Sequence, residues 1–143
     1  MRVSKATEDD LRAIESIEGE CFGIEAWTRD MIKSDFNVRS FYQVIRTDED
    51  DVAGYASLLL LDTEAELLRI AVRKRYRKKG YGKALMSAVI EYCEDKGFEK
   101  LYLEVKDSNE PAMLLYKSFG FCEVARRKGY YKDGDAVIMS RIL

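Results

Sequence analysis

The stretch RKKGYGKAL, residues 77–85, places three cationic residues before two glycines and the start of an apolar helical pattern. The residues before it, Glu66 to Val72, are typical of a strand, so the stretch joins a strand to a helix. A helix start presents unpaired backbone N–H groups and the positive end of the helix dipole. Glycine lets an anion approach that backbone closely. We therefore predict a site for a multiply charged phosphate group, formed by Arg77, Lys78, Lys79, Gly80, Tyr81, Gly82 and Lys83.

Positive charge is concentrated in this part of the chain. The net charge is −2, but no acidic residue occurs between Leu67 and Ile90. The Lys and Arg residues of that window are Arg69, Arg73, Lys74, Arg75, Arg77, Lys78, Lys79 and Lys83. A local cluster on an otherwise acidic chain predicts a compact anionic ligand and no nucleic-acid partner. A solvated basic loop without a ligand is the alternative.

Length and composition predict a single domain over residues 1–143. The longest apolar run, from Tyr55 to Leu61, is too short to span a bilayer. Because the N-terminus has no apolar leader, we expect a cytoplasmic protein without a membrane partner. The cysteines, Cys21, Cys93 and Cys122, are expected to be reduced and mostly buried. The chain contains no histidine, which excludes histidine as a general base and, with scattered cysteines, predicts no metal site.

Hydrophobic periodicity, caps and turn signals predict the element order β-α-α-β-β-β-α-β-α-β-β. Thr7 and Asp10 form a capping-box pattern before the first helix, and Thr28 can cap the second. Gly97 is typical of a helix end, and Asn109 can cap the last helix. This mixture of strands and helices predicts an α/β protein.

Two common phosphate-binding motifs do not fit residues 77–85. A P-loop has Ser or Thr after its Gly-Lys pair to hold magnesium, whereas here Ala84 follows. The Rossmann fingerprint has Gly or Ala where this chain has Leu85, and it follows the first strand of its domain. Glu104, about 20 residues further on, is the feature that favours a Rossmann interpretation.

Four motifs together resemble the GCN5-related N-acetyltransferases, the GNAT superfamily. They are Ile70-Ala71-Val72, Arg77-x-x-Gly80-x-Gly82, Ser108-Asn109-x-x-Ala112 and Leu115-Tyr116-x-x-Phe119-Gly120-Phe121. The resemblance covers nearly the whole chain and implies the α/β GNAT fold, a single mixed central sheet of about seven strands flanked by about four helices. More narrowly, Leu103-Glu104-Val105 and Gly129-Tyr130-Tyr131 resemble the ribosomal-protein-alanine (RimI-type) and archaeal N-terminal acetyltransferases. That subgroup usually has proline where Ala26 precedes Trp27 here.

The resemblance implies acetyl-CoA as co-substrate, and its pyrophosphate and 3′-phosphate suit the cationic helix start. The resemblance assigns the backbone of Ile70, Ala71 and Val72 to the pantetheine arm and the thioester, which would add to the edge of the fourth strand. Asn109 would contact the same arm through its side-chain amide. A plain helix cap is the alternative for Asn109, and one side chain can serve both purposes.

Acetyl transfer to an amine requires a proton acceptor, stabilisation of the thioester oxygen and protonation of the leaving thiolate. Glu104 is the predicted base, because it lies opposite the leucine face of a strand beside the fourth, and the resemblance gives it this role. The resemblance alone makes Tyr116 the predicted acid, and the N–H of Val72 would hold the oxyanion. An exposed strand glutamate and a core tyrosine are the alternatives.

The resemblance places the acceptor between the loop joining the first two helices and the last hairpin. It thus predicts substrate contacts at Ile24, Tyr130 and Tyr131. The predicted activity is direct transfer of the acetyl group of acetyl-CoA to the N-terminal amine of a protein or peptide. The alternatives are acetylation of a small amine or lysine side chain, and a non-catalytic module that binds CoA. The presence of both Glu104 and Tyr116 argues against the module.

Overall fold

The computed structural model describes residues 1–36 and 39–143. Over these residues the chain forms seven strands and four α-helices, in the predicted order. The strands are β1 Arg2–Lys5, β2 Ser40–Arg46, β3 Val52–Leu60, β4 Glu64–Val72, β5 Lys100–Lys106, β6 Cys122–Tyr131 and β7 Gly134–Ile142. The helices are α1 Leu11–Phe22, α2 Arg29–Asp35, α3 Tyr81–Asp95 and α4 Glu110–Ser118.

The strands form one mixed sheet in the order β1-β2-β3-β4-β5-β7-β6. Neighbouring strands are antiparallel except β4 and β5, which are parallel. Parallel neighbours need a long crossover, and α3 lies in the connection between these two. The predicted α/β fold with a single mixed sheet is confirmed.

Helices cover both faces of the sheet. On one face α1 and α2 bury Ile14, Ile17 and Ile32 completely. On the other, α3 buries Leu85 and Val89, and α4 packs against the same cluster. The apolar side chains of the helices thus cover each face of the sheet. No helix in the described ranges is long and apolar enough to cross a membrane.

The predicted helix caps are present. The backbone N–H of Thr7 donates to the Asp10 carboxylate at 2.9 Å. The Thr28 hydroxyl accepts a backbone N–H of α2 at 3.2 Å, and the side-chain oxygen of Asn109 accepts one of α4 at 3.3 Å. These side chains satisfy N–H groups that have no partner within their helices, and so determine where the helices begin.

The prediction of mostly buried cysteines is only partly correct. All three thiols are free, and Cys93 is buried in α3. Cys21 is half-buried, however, and Cys122 is exposed. Cys122 begins β6, which forms an edge of the sheet and is exposed along most of its length. An edge position was not visible in the sequence, since it depends on strand order.

Strand β4 carries the irregularity that opens the site. Its ladder with β3 shifts register at Leu68, an extra residue that forms a bulge. Its pairing with β5 runs only from Glu64 to Leu67. Beyond Leu67 the two parallel strands separate, so the second half of β4 has a free edge on the β5 side.

Gly54 on β3 lies against this same half of β4. A Cβ atom at Gly54 would lie 2.5 Å from the carbonyl oxygen of Ala71, which is fixed backbone. We expect Gly54→Ala to lower the free energy of unfolding by about 1–3 kcal/mol, because β4 has to shift to make room. Denaturant unfolding followed by circular dichroism measures this.

Gly19 on α1 provides the control for this substitution. A Cβ atom there meets no atom within 4 Å. Gly19→Ala is expected to stabilise the protein by up to about 1 kcal/mol, since alanine favours a helix interior. Equal unfolding free energies for Gly54→Ala and the unsubstituted protein would contradict the expected clash.

Candidate active site

A cleft of about 750 Å³ lies where β4 and β5 separate. Its walls come from β4, β5, α4, the last hairpin and the segment between α1 and α2. Residues predicted from the sequence line it together: Ile70, Glu104, Asn109, Tyr116, Tyr130 and Tyr131. Strand order therefore collects in one place side chains that are far apart along the chain.

The free edge of β4 presents backbone groups to the cleft. Arg73 N–H donates to the carbonyl of Ala53 at 2.8 Å, so the backbone groups of Arg73 and Ala71 face β3. Successive residues of a strand direct their backbone groups to alternate sides. The N–H groups of Ile70 and Val72 therefore face the opposite side, where β5 no longer pairs with β4. An extended ligand can join such an edge as another strand.

The basic loop, residues 77–83, lies at the end of this edge. Gly80 has φ +90° and is the N-cap of α3, without a side-chain capping bond. Such a left-handed conformation favours glycine. The side chains of Lys78, Lys79 and Lys83 are exposed around this helix start. The loop therefore combines backbone N–H donors, the positive end of a helix dipole and exposed lysine side chains.

Arg77 is turned towards the protein rather than outward. Its Nε donates to the carbonyl oxygen of Val72 at 3.0 Å, and its Nη2 lies 3.4 Å from the sulfur of Cys21. The side chain therefore fastens the basic loop to the end of β4 and to α1. A phosphate contact by Arg77, as expected from the sequence motif, would compete with these bonds.

Glu104 is exposed on β5 and accepts a hydrogen bond from Tyr131 Oη at 3.3 Å. Burial, then the charge of Glu104, raises the pKa of the Tyr131 phenol, so this donor stays protonated at neutral pH. Glu104 also lines an adjoining pocket of about 440 Å³ with Glu66 of β4. Burial, then the same charge, raises the pKa of Glu66. Within residues 1–36 and 39–143, no group of three or more Cys, Asp and Glu could hold a metal ion.

Tyr116 reaches the cleft from α4. Its ring packs edge-on against Phe121, with centroids 6.1 Å apart. Burial raises the pKa of the Tyr116 phenol, which therefore stays protonated at neutral pH and can donate a proton. Asn109, at the start of the same helix, uses its side-chain oxygen for the cap. The cap does not require its NH₂ group.

The two predicted acceptor elements differ in their relation to the cleft. Tyr130 and Tyr131 pack edge to face with centroids 5.1 Å apart, and Tyr130 is 53% exposed. Ile24 is fully exposed and does not line the cleft. Its neighbours Phe22 and Glu25 do so instead. The segment between the first two helices therefore contributes to the cleft, but through Phe22 and Glu25 rather than through Ile24.

Sequence analysis missed a buried ion pair beside the cleft, between Glu18 on α1 and Arg69 on β4. The sequence places each of these two charged residues in an apolar pattern, and this could have revealed the pair. Glu18 follows Ile14 by four positions on the apolar stripe of α1, and Arg69 interrupts the apolar run before the basic loop. Opposite charges in two apolar contexts are expected to pair when both elements pack together.

Comparisons with known proteins point to one family. Residues 9–121 match the model of the acetyltransferase (GNAT) family. The [ribosomal protein bS18]-alanine N-acetyltransferase of Haemophilus ducreyi is 30% identical over 146 residues, covering 99% of each chain. An N-alpha-acetyltransferase of Sulfurisphaera tokodaii is 40% identical over 92 residues, 61% of this chain and 55% of that protein.

A solved structure extends the likeness to three dimensions. The ribosomal-protein-S18-alanine N-acetyltransferase from Escherichia coli superposes with a TM-score of 0.91, covering 99% of this chain and 92% of that one. Sequence identity between the two is 32%. This chain therefore belongs to the GNAT acetyltransferase family and is an acetyl-CoA-dependent acyltransferase.

Proposed function

We propose that this protein acetylates the α-amine at the N-terminus of a protein in the cytoplasm, with acetyl-CoA as donor. The observation that carries the proposal is a cleft in which Glu104, Tyr116 and the free edge of β4 meet. The relatives named for bS18-alanine and N-alpha acetylation support a protein N-terminus as the acceptor.

The surroundings of the cleft suit acetyl-CoA. The free N–H group of Val72, next to the basic loop, would pair with an extended pantetheine arm, as a neighbouring strand does. The pyrophosphate would lie at the start of α3, where Gly80 and Gly82 allow close approach to backbone N–H groups. The exposed lysines of the basic loop would neutralise its charge. Asn109 would donate its side-chain NH₂ group to the pantetheine arm.

The ionisation of the acceptor favours an α-amine. Its pKa is about 8, against about 10.4 for a lysine side chain. Deprotonation at pH 7 costs roughly 1.4 kcal/mol for the α-amine and roughly 4.6 kcal/mol for lysine. An exposed carboxylate such as Glu104 is a modest base, sufficient for the first group and poorly matched to the second.

Three residues take part in the transfer, as the base, the oxyanion donor and the acid. Glu104 accepts the ammonium proton, directly or through water, and the free amine attacks the thioester carbonyl carbon. The N–H of Ile70, which lines the cleft with Glu104 and Tyr116, donates to the carbonyl oxygen as it gains negative charge, in place of the Val72 N–H expected from the sequence. The C–S bond then breaks, and Tyr116 Oη gives its proton to the departing thiolate. The amide nitrogen loses its second amine proton to solvent, and the Tyr116 phenolate takes one back from solvent, which restores the phenol. Tyr130 and Tyr131 would hold the first residue of the acceptor peptide, and Ile24, which is exposed outside the cleft, would contact residues further along the peptide.

A peptide library varied at its first two residues tests this proposal. Mass spectrometry after incubation with acetyl-CoA is expected to find acetyl groups on the α-amine, with alanine among the accepted first residues. The same peptides with blocked N-termini and a free lysine are the control and should stay unmodified. Faster acetylation of the lysine, or of a free polyamine, would instead support the small-amine and lysine alternative.

A further inference from the structure

An arginine lies within the half of β4 that borders the cleft. Arg69 follows the bulge residue Leu68 directly, and its side chain is 19% exposed. It lines the cleft together with Phe22 and Glu25. A guanidinium is charged at every physiological pH, so a largely buried one needs partners that compensate for its lost hydration.

Three contacts bind this guanidinium to residues 22–28, which we call the acceptor loop. The Cζ atom of Arg69 lies 4.0 Å from the ring centroid of Phe22 and 4.5 Å from that of Trp27. Its Nη2 donates to the backbone carbonyl of Glu25 at 3.1 Å. Cation–π contacts of this kind gain strength when they are desolvated. The side chain therefore joins the acceptor loop to β4.

A buried carboxylate strengthens the same attachment. Glu18 is fully buried, and its Oε2 lies 3.4 Å from Arg69 Nε. Its Oε1 accepts the backbone N–H of Trp27 at 2.8 Å, and the Tyr55 hydroxyl donates to Oε2. The acceptor loop, β3 and β4 thus share one buried negative charge. Displacing the loop would remove a donor from that charge, which is costly in a buried site.

We infer that Arg69 is a positioning residue for the acceptor, holding the acceptor loop as a wall of the cleft against the strand that would bind acetyl-CoA. The backbone of β4 is held independently, because Arg69 pairs with Ser57 in the ladder to β3. Loss of the side-chain contacts would therefore move the loop and leave the free edge of β4 in place. This inference rests on the proposed function and concerns only the binding of the acceptor, not that of acetyl-CoA.

Arg69→Lys tests the inference, since it keeps a positive charge near Glu18 but loses the planar guanidinium and its donors. The KM for an acceptor peptide is expected to rise about 10-fold or more. Acetyl-CoA affinity and its hydrolysis without acceptor should change by less than about 2-fold. Arg46→Lys is the matched control, because Arg46 is also 19% exposed and pairs with buried Asp10, but it does not line the cleft. It should leave the peptide KM unchanged.

A second variant removes both charges, so that no unpaired ion is left buried if folding is sensitive to Arg69 alone. Arg69→Met combined with Glu18→Gln is expected to raise the peptide KM in the same way, with circular dichroism showing retained folding. An unchanged peptide KM in both variants would overturn the inference, as would equal losses for peptide and acetyl-CoA. A wild-type protein that acetylates no peptide N-terminus would overturn the proposed function, and with it this inference.

Discussion

Glu104→Gln is expected to slow turnover at pH 7 by about 100-fold or more, the usual contribution of a positioned acid or base. Glutamine has nearly the shape of glutamate and still accepts the bond from Tyr131, but it cannot take the ammonium proton. The loss should shrink as pH rises through about 8, where the acceptor α-amine is already neutral. Acetyl-CoA affinity should hardly change, because the carboxylate acts on the acceptor.

Tyr116→Phe separates the acid from the base, because its pH signature is different. Burial raises the pKa of Tyr116, so the phenol stays protonated across the neutral range and at mildly alkaline pH. Removing its hydroxyl is expected to lower kcat at every pH of that range, with no recovery at high pH. High pH makes the acceptor amine neutral, but it does not supply the proton that the leaving thiolate needs.

The measurement is kcat against pH for both variants on one acceptor peptide, with circular dichroism to check folding. Near-native turnover of Glu104→Gln at pH 7 would show that the base is another group or bulk water. Recovery of Tyr116→Phe at high pH, parallel to that of Glu104→Gln, would remove Tyr116 from the acid role. It would then be a packing partner of Phe121 at the cleft wall.

Gly80→Glu is expected to weaken acetyl-CoA binding by about 100-fold or more, equivalent to about 2.7 kcal/mol. The added carboxylate repels phosphate, and its side chain blocks approach to the N–H groups at the start of α3. A Cβ atom at this position meets no atom within 4 Å, so the cost to folding is the left-handed backbone alone, about 1–2 kcal/mol.

Gly97→Glu, at the opposite end of α3, is the matched control for this substitution. Gly97 also has a positive φ, +79°, and a Cβ atom there meets no atom within 4 Å. The control therefore adds the same charge at a similar backbone cost away from the basic loop, and its acetyl-CoA affinity should stay close to wild type. Calorimetric titration with acetyl-CoA gives both affinities. Unchanged affinity in a folded Gly80→Glu variant would contradict phosphate binding at this helix start.

Local signals in the sequence were enough for the order of elements and for the glycine-containing turn into α3. Caps such as Thr28 and Asn109 act within three residues, and helix periodicity acts within a few turns, so both are visible in a single chain. The left-handed conformation of Gly80 and the basic residues around it also depend only on residues that are close together along the chain. The convergence of Glu104 and Tyr116 was expected only through the family resemblance, because it depends on strand order.

The sequence by itself determined the α/β element order, the helix caps and the glycine-containing turn into α3, because these depend on neighbours along the chain. Tertiary structure alone decided where β5 leaves β4, since the bulge at Leu68 appears only in the pairing with β3. It also turned Arg77 towards Val72 and paired Arg69 with Glu18. A long charged side chain takes the nearest partner that relieves its desolvation, and packing of distant elements decides which partner that is.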